Sequence, residues 1–320
     1  MKTFKNATGK IDYTLMNDCM FHIVMQSNEK VLKGLVCALL HLKPDDVKSV
    51  TLLNPLELSE EIRNKDFILD IKVLLDSKTI INIELQVRTQ SFWNDRSLAY
   101  LCRIFDNLEK GEDYFDVRSA YHIGILDFTP FPEYPEFYAV NKMMNVQKNY
   151  IYNDKFTLNV LDLNQVHMAT DEDKQWKLDY WARLFKATTW EELKMLAQQN
   201  DIFMETCETI FQKNQDRNVR YWCEAREEAD RIARTVEREY QQSLADLAEM
   251  RNTIQEKDNT IKEKNNTIKE KDNTIKEKDN TIKEKDNALA EKDNTIQEKD
   301  NAIAEMRAQI ATLMAQLNQK

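Results

Sequence analysis

Three polar residues interleaved with apolar ones carry the sequence's most suggestive chemistry: Asp70, Glu84 and Gln86. Around them Phe67, Leu69, Ile71 and Val73 face one way and Asp70 and Lys72 the other. Ile81, Ile83, Leu85 and Val87 likewise oppose Asn82, Glu84 and Gln86, the period of two expected of strands. The two runs, Phe67 to Leu75 and Thr79 to Val87, flank Asp76, Ser77 and Lys78 and read as an antiparallel hairpin. Residues directly opposed in such a pair point to the same face, so a loop of odd length is needed to bring the acids together. A three-residue loop sets Asp70 opposite Glu84. Two carboxylates so close repel each other, and a divalent cation is their natural third party. The spacing alone is not specific, since a hairpin whose polar face meets water would read the same way.

Other candidates surround this hairpin. Asp18 belongs, with Asn17, to an ordinary capping pattern at a helix start. Arg96, Tyr100 and Arg103 follow helical spacing and are expected on the face opposite Leu98, Leu101 and Phe105, where they could meet phosphate. Lys43, Lys48, Arg63, Lys65 and Arg88 extend the possible basic rim. His22, His41, His122 and His167 lack ligand spacing and read as structural or surface residues. Asp127 reads as ending a strand or capping a turn. Five cysteines without a CxxC pair read as reduced, mostly buried thiols. With only 4 Gly and neither a GxGxxG nor a Walker-type loop, nucleotide motors and dinucleotide dehydrogenases are excluded.

The elements that must position these residues alternate between helix and strand. Residues 15 to 42 have a helical pattern with Phe21, Val24, Met25, Leu32, Leu35, Val36 and Leu39 on one face. Residues 94 to 110 read as a helix with Leu98, Leu101, Cys102, Phe105 and Leu108 along one stripe and Gly111 as its stop. Strands are expected at Ala120 to Phe128 and Phe156 to Leu161, separated by a loop that Pro130, Pro132 and Pro135 keep irregular. From Asp173 the chain turns helical again, and Trp176, Tyr180, Trp181, Trp190, Tyr221 and Trp222 read as helical core. No apolar run reaches the length of a membrane span, and Met1 to Thr14 lacks an apolar signal core, so a cytoplasmic location without membrane partners is expected.

Beyond residue 240 the sequence becomes a repeat. Ile254, Ile261, Ile268, Ile275, Ile282, Leu289, Ile296, Ile303, Ile310 and Leu317 recur every seven residues within near-copies of TIKEKDN. With these at heptad position a, Met250, Met306 and Leu313 fall at d near the ends, whereas lysines from Lys257 to Lys299 fall at d in the middle. A coiled-coil stalk that pairs two copies, seeded from its apolar ends, is the expected form. Residues 240–320 hold 14 basic and 16 acidic side chains, so most of the net charge of -10 lies on residues 1–239. Neither part is a basic nucleic-acid tail.

The order of NDCMF (17–21), KDFILDIKV (65–73), IINIELQ (80–86), NDRSLAYLCRIF (94–105), KGEDY (110–114) and YHIGILDF (121–128) resembles the PD-(D/E)XK nuclease family transposases, the Rpn-type recombination-promoting nucleases. The likeness covers roughly residues 11 to 235, including NQDRNVRYWCEARE, and leaves the heptads outside. It implies a mixed α/β, restriction-endonuclease-like core at 1–170, a helical extension at 171–239 and a coiled-coil helix at 240–320. It also implies a DNA endonuclease acting in recombination or on mobile or foreign DNA. Asp70 and Glu84 would be the acidic pair, holding Mg2+ or Mn2+ with the Leu85 carbonyl and Asp18 as a further candidate ligand. Gln86 stands where the wider superfamily has Lys, although this branch commonly carries Gln. A glutamine cannot take up a proton at neutral pH, so it would orient water or hydrogen-bond the reacting phosphate. Arg88, Arg96, Tyr100 and Arg103 would contact DNA. The competing expectation is a catalytically silent domain of the same fold, binding DNA or protein and displayed on the stalk.

Overall fold

The structure, a computed structural model, describes residues 3–55, 70–89 and 92–317. The chain divides into two compact units, Met1–Ala233 and Arg234–Lys320. Among the described residues no helix is long and apolar enough to cross a membrane.

The first unit opens with two helices where the sequence suggested one. Helix α1 (Asp18–Ser27) and helix α2 (Glu29–Leu40) are separated by Asn28, whose side-chain oxygen accepts from the amides of Lys30 and Val31. That cap competes with helix continuation and restarts the chain in a new direction. The seven apolar residues expected on one face are all buried. Asn17 caps α1 by accepting from Met20 N at 3.1 Å.

Strand β1 (Val50–Leu52), which the sequence did not suggest, pairs with β2 (Ile71–Leu75), and β2 pairs antiparallel with β3 (Thr79–Gln86). The register runs Ile71 to Ile83 through Leu75 to Thr79, with Asp76 to Lys78 as the loop. Asp76 and Ser77 both adopt positive φ, and Asp76 Oδ1 accepts from Lys48 N and Ser49 N at 2.8 Å each. This short polar side chain tolerates the left-handed turn and ties it to the chain entering β1. The part of the first strand expected from Phe67 to Leu69 lies outside the described residues, as do Arg63 and Lys65.

Helix α3 (Trp93–Phe105) crosses from β3 to β4 (Ser119–Leu126), which lies parallel to β3. A hairpin region follows, with β5 (Tyr138–Lys142), β6 (Met144–Asn145) and β7 (Tyr150–Ile151), and then β8 (Phe156–Asp162). The prolines therefore do not keep that whole segment irregular, because β5 forms once they have ended. The six-stranded sheet has the order β1-β2-β3-β4-β8-β5, with β3, β4 and β8 parallel at its centre.

Helices cover both faces of those central strands. On one side Ile71, Val73, Ile81, Ile83, Ile123, Ile125 and Leu161 join Phe21, Val24, Leu35 and the helices that end this unit in one core. After the short α4 (Asp171–Gln175), which adds no apolar residue to that core, these are α5 (Leu178–Lys186), α6 (Trp190–Ala197), α7 (Asp201–Gln215) and the start of α8 (Arg217–Leu317). Trp181, Trp190 and Trp222 are buried, as the aromatic pattern suggested, Trp176 and Tyr180 are half-buried, and Tyr221 is exposed on the outer face of its helix rather than in the core. On the other side α3 packs two smaller clusters. Leu101 and Ile104 meet Ile80 and Ala120, and Trp93 meets Leu126, Phe128 and Val160.

The phase of α3 differs from the sequence expectation. Its buried residues are Trp93, Ser97, Leu101 and Ile104, whereas Leu98 and Cys102 are exposed, and the helix stops at Phe105 rather than at Gly111. Arg96 and Tyr100 consequently flank the buried stripe and are half-buried, not turned away from it. The winning contribution is Trp93, whose ring fills the space above β4 that a periodicity count based on leucines ignores.

In the second unit α8 continues through the heptads, whose isoleucines are exposed along the single chain. Repeat threonines such as Thr260, Thr267, Thr274 and Thr281 donate to the carbonyl four residues earlier.

Candidate active site

Two adjacent rows across the sheet face α3. One contains Lys72, Asn82, His122 and Leu158, and the next contains Glu84, Gly124 and Val160. Continuing the β2–β3 register by one residue sets Asp70 across from Glu84, the parity that a three-residue loop requires. The polar face of this hairpin meets water only through the half-buried Asp70, Lys72 and Gln86. Because β3 is a central strand beneath α3, Asn82 and Glu84 are buried, Glu84 to 2 % exposure.

Glu84 is held electrostatically from two directions. Arg96 Nη2 approaches its Oε1 at 2.7 Å, and His122 Nε2 lies 3.6 Å from its Oε2. Neither carboxylate oxygen receives a well-directed hydrogen bond. Burial is the main reason that the Glu84 carboxyl is pushed up to about 7, and the charge of Asp70 raises it further, while Arg96 pulls it down. Burial also raises Asp70, opposed by its hydrogen bond from Asn82 and by Arg96.

His122 was not singled out by sequence, and the structure sets it beside Glu84. It is fully buried, and desolvation pushes it down to about 4 with Arg96 adding to the effect, so the ring is neutral. Asn82 Nδ2 lies 3.1 Å from His122 Nδ1 and 3.5 Å from Asp70 Oδ2. Tyr100 meets the imidazole edge-on at 5.9 Å and is itself flanked by the guanidinium groups of Arg96 and Arg103 at 5.2 and 5.4 Å. The sequence signal that could have found His122 was its place in YHIGILDF, with period-two spacing to Gly124 on a strand next to β3.

Gly124 is the second residue that spacing did not flag. A Cβ there would stand 2.6 Å from Trp93 Cη2 and closer still to Cζ2. The glycine lets the indole lie directly on β4 beside Glu84 and His122, a close approach typical of glycine inside a strand. Gly124→Ala is expected to cost about 1–3 kcal/mol by overpacking, read as a lower urea midpoint at unchanged m value.

Beside the carboxyl end of β3 lies a cavity of about 380 Å³. Leu85, Gln86, Arg88, Arg96 and Asp18 line it together with Arg226 and Asp230 of α8, which belong to the same unit. Gln86 donates from Nε2 to the carbonyl of Arg88 at 3.1 Å, leaving its own side-chain oxygen available as an acceptor. Asp18 is gripped by Arg226, with Nε at 2.9 and 2.8 Å and Nη2 at 2.6 Å, and Asn17 rather than Asp18 makes the helix cap. Arg88 is similarly engaged, its Nη2 lying 3.0 Å from Asp230 Oδ1 and donating to the Asp230 carbonyl at 2.6 Å. Arg103 is exposed on α3. The structure thus brings Asp70, Glu84, Arg96 and Tyr100 into one cluster, with Leu85, Gln86, Arg88 and Asp18 along the adjoining cavity. Asp127 leaves this cluster and pairs with Lys186.

The donor set suits a small hard cation. Two facing carboxylates, one with both oxygens lacking a directed donor among the described residues, would supply charge and lone pairs to such an ion, and the Leu85 carbonyl would be the backbone oxygen nearest in sequence. Among the described residues no group of three or more His, Cys, Asp or Glu side chains has metal-binding arrangement. An ion here would therefore rest on two carboxylates, backbone and water, the oxygen set of Mg2+ or Mn2+ rather than the nitrogen and sulfur set of zinc.

No curated protein and no solved structure matches this chain. Residues 15–239 match the model of the family described as PD-(D/E)XK nuclease family transposase, a span that contains the sheet, α3 and every residue of the cluster just described. The mixed sheet with its central parallel strands agrees with that fold, and the chain belongs to the PD-(D/E)XK nuclease family transposases.

Proposed function

We propose that the chain is a divalent-metal-dependent DNA endonuclease, hydrolysing phosphodiester bonds in recombination or in processing mobile or foreign DNA. The observation that carries this reading is the facing pair Asp70 and Glu84, with Glu84 buried and its two oxygens without a directed donor. Arg96 offsets part of the cost of this buried acid at one oxygen, and a metal ion or a proton would offset the rest. Asp70, Glu84 and the Leu85 carbonyl would hold the ion. Bound Mg2+ or Mn2+ supplies charge neutralisation at the scissile phosphate and acidifies water.

The remaining steps belong to the protein. Gln86 accepts a hydrogen bond from the attacking water through its free side-chain oxygen and cannot serve as a base. Arg96 neutralises charge at the cavity mouth, and Tyr100 keeps the Arg96 and Arg103 guanidinium groups aligned for phosphate. Trp93, packed on Gly124, excludes bulk water from behind Glu84. Arg88 and Asp18 serve as rim residues tied to α8 through Asp230 and Arg226, and Asp18 reaches the ion only if Arg226 releases it. Residues 1–170 act as the catalytic core, 171–239 as its helical support, and 240–320 as a stalk that pairs two copies through the heptad isoleucines.

A plasmid-nicking assay on the purified full chain tests this. Cutting is expected with Mg2+ or Mn2+ and is expected to vanish with chelator. A folded chain that cuts neither supercoiled nor single-stranded DNA with either ion would favour a binding module displayed on the stalk.

A further inference from the structure

Two residues of the neighbouring row across the sheet, Asn82 and His122, lie beside the acidic pair. Asn82 Nδ2 lies within 3.5 Å of Asp70 Oδ2 and 3.1 Å of His122 Nδ1. A carboxylate oxygen accepts only, so the amide must turn its NH2 toward Asp70, and the same NH2 then donates to His122 Nδ1. An imidazole whose Nδ1 accepts carries its proton on Nε2. That nitrogen lies 3.6 Å from Glu84 Oε2, a contact too long for a hydrogen bond, and among the described residues neither atom has a hydrogen-bond partner. The polar chain thus runs from Asp70 through Asn82 and His122 to Glu84, with each carboxylate approached by a donor.

The setting argues against simple core packing. The chain lies between two apolar clusters beneath α3, one around Ile80, Leu101 and Ala120 and the other around Trp93, Leu126 and Val160. Apolar residues at 82 and 122 would join those clusters without leaving polar atoms unsatisfied, as they are at His122 Nε2. The imidazole is also fixed in plane, with Trp93 at 5.9 Å and 36° and Tyr100 at 5.9 Å and 70°.

We propose that Asn82 and His122 are positioning residues that bracket the acidic pair, Asn82 by donating to Asp70 and His122 by setting its Nε2–H against Glu84, so that the remaining carboxylate oxygens converge on one divalent cation. The bracket rests on the nuclease reading above, and it acts through the carboxylates without touching the ion or DNA. It lowers the entropy lost when the two acids are ordered around an ion, the general role of groups that orient metal ligands.

The test measures Mn2+ affinity by titration calorimetry at fixed pH on the full chain, with folding followed by circular dichroism. Wild type and Glu84→Gln come first, and Glu84-dependent Mn2+ binding is expected. His122→Phe keeps the ring volume and removes both nitrogens, and it is expected to weaken Mn2+ binding about 10-fold or more while the melting temperature holds or rises. His122→Gln, which restores an N–H near the Nε2 place, is expected to recover most of that affinity. Asn82→Leu cuts the bracket from the other side and is expected to weaken binding similarly, so the test survives if one variant does not fold. Unchanged Mn2+ affinity in folded His122→Phe or Asn82→Leu would overturn the bracket and leave the nuclease reading standing. Absence of Glu84-dependent Mn2+ binding in wild type would overturn both together.

Discussion

Glu84→Gln and Asp70→Ala are each expected to lower plasmid nicking by about a thousandfold or more while leaving the domain folded. Neither acid is part of the apolar core, and the two face each other beside the site. Glutamine preserves the size of Glu84 but removes the negative charge that a cation requires. At pH 8 it also removes a buried carboxylate whose proton affinity is raised from 4.5 to about 7, an unfavourable contribution of roughly 3 kcal/mol. The gain is smaller in practice, because Arg96 loses its partner at the same time. Activity is therefore expected to collapse while the urea midpoint stays level or rises, the trade expected where a site keeps strain for function. Wild-type nicking by folded Asp70→Ala would sink the assignment of the acidic pair.

The second large effect concerns pH and comes from two shifts of opposite sign. Native Glu84 keeps its proton up to about pH 7, whereas the unfolded chain loses it near 4.5. Over that interval the native state binds more protons at this site, so its contribution to stability falls as pH rises. Native His122 stays neutral down to about pH 4, whereas the unfolded chain takes up that proton below 6.5. There the native state binds fewer protons, and the contribution to stability rises with pH. From about 4.5 to 6.5 the two cancel. The native state holds its one proton on Glu84, and the unfolded chain holds one on histidine.

The wild-type stability is expected to be nearly flat across that window so far as this site governs it, and single variants unmask the slopes. Glu84→Gln leaves His122 alone, so stability is expected to rise from pH 4 to 6.5, by roughly 3 kcal/mol at most. His122→Phe leaves Glu84 alone, so stability is expected to fall from pH 4.5 to 7 by a similar amount. Urea unfolding at half-unit pH steps reads both, and parallel pH profiles for the two variants would show that these groups do not carry the shifts. Divalent-ion binding needs ionised Glu84 and must displace its proton, so ion affinity is expected to climb about tenfold per pH unit up to about 7 and then level.

Local pattern determined a good part of this protein. The alternation in residues 70–87 and the parity of a three-residue loop were enough to set Asp70 across from Glu84, because strand period and hairpin register are properties of adjacent sequence. The buried face of residues 15–42, the aromatic helical core, the heptads and the family followed from the same kind of near-neighbour information. Burial of the acids did not. A two-residue period says which side chains share a face, and only the sheet order, with β3 central and α3 folded over it, decides that Asn82 and Glu84 on this face are dry. The same holds for His122 and Gly124, which reach Asn82 and Glu84 through parallel pairing across a helical crossover of 32 residues, from Gln86 to Ser119. The phase of α3 was decided by one indole fitting over one glycine, a matter of shape and not of period. Arg226 and Asp230 come to Asp18 and Arg88 from more than 140 positions away, and no local spacing could announce them. Sequence fixes the chemistry available and its local order, whereas long-range packing sets how much water each group keeps, and thereby the proton and ion affinities on which function depends.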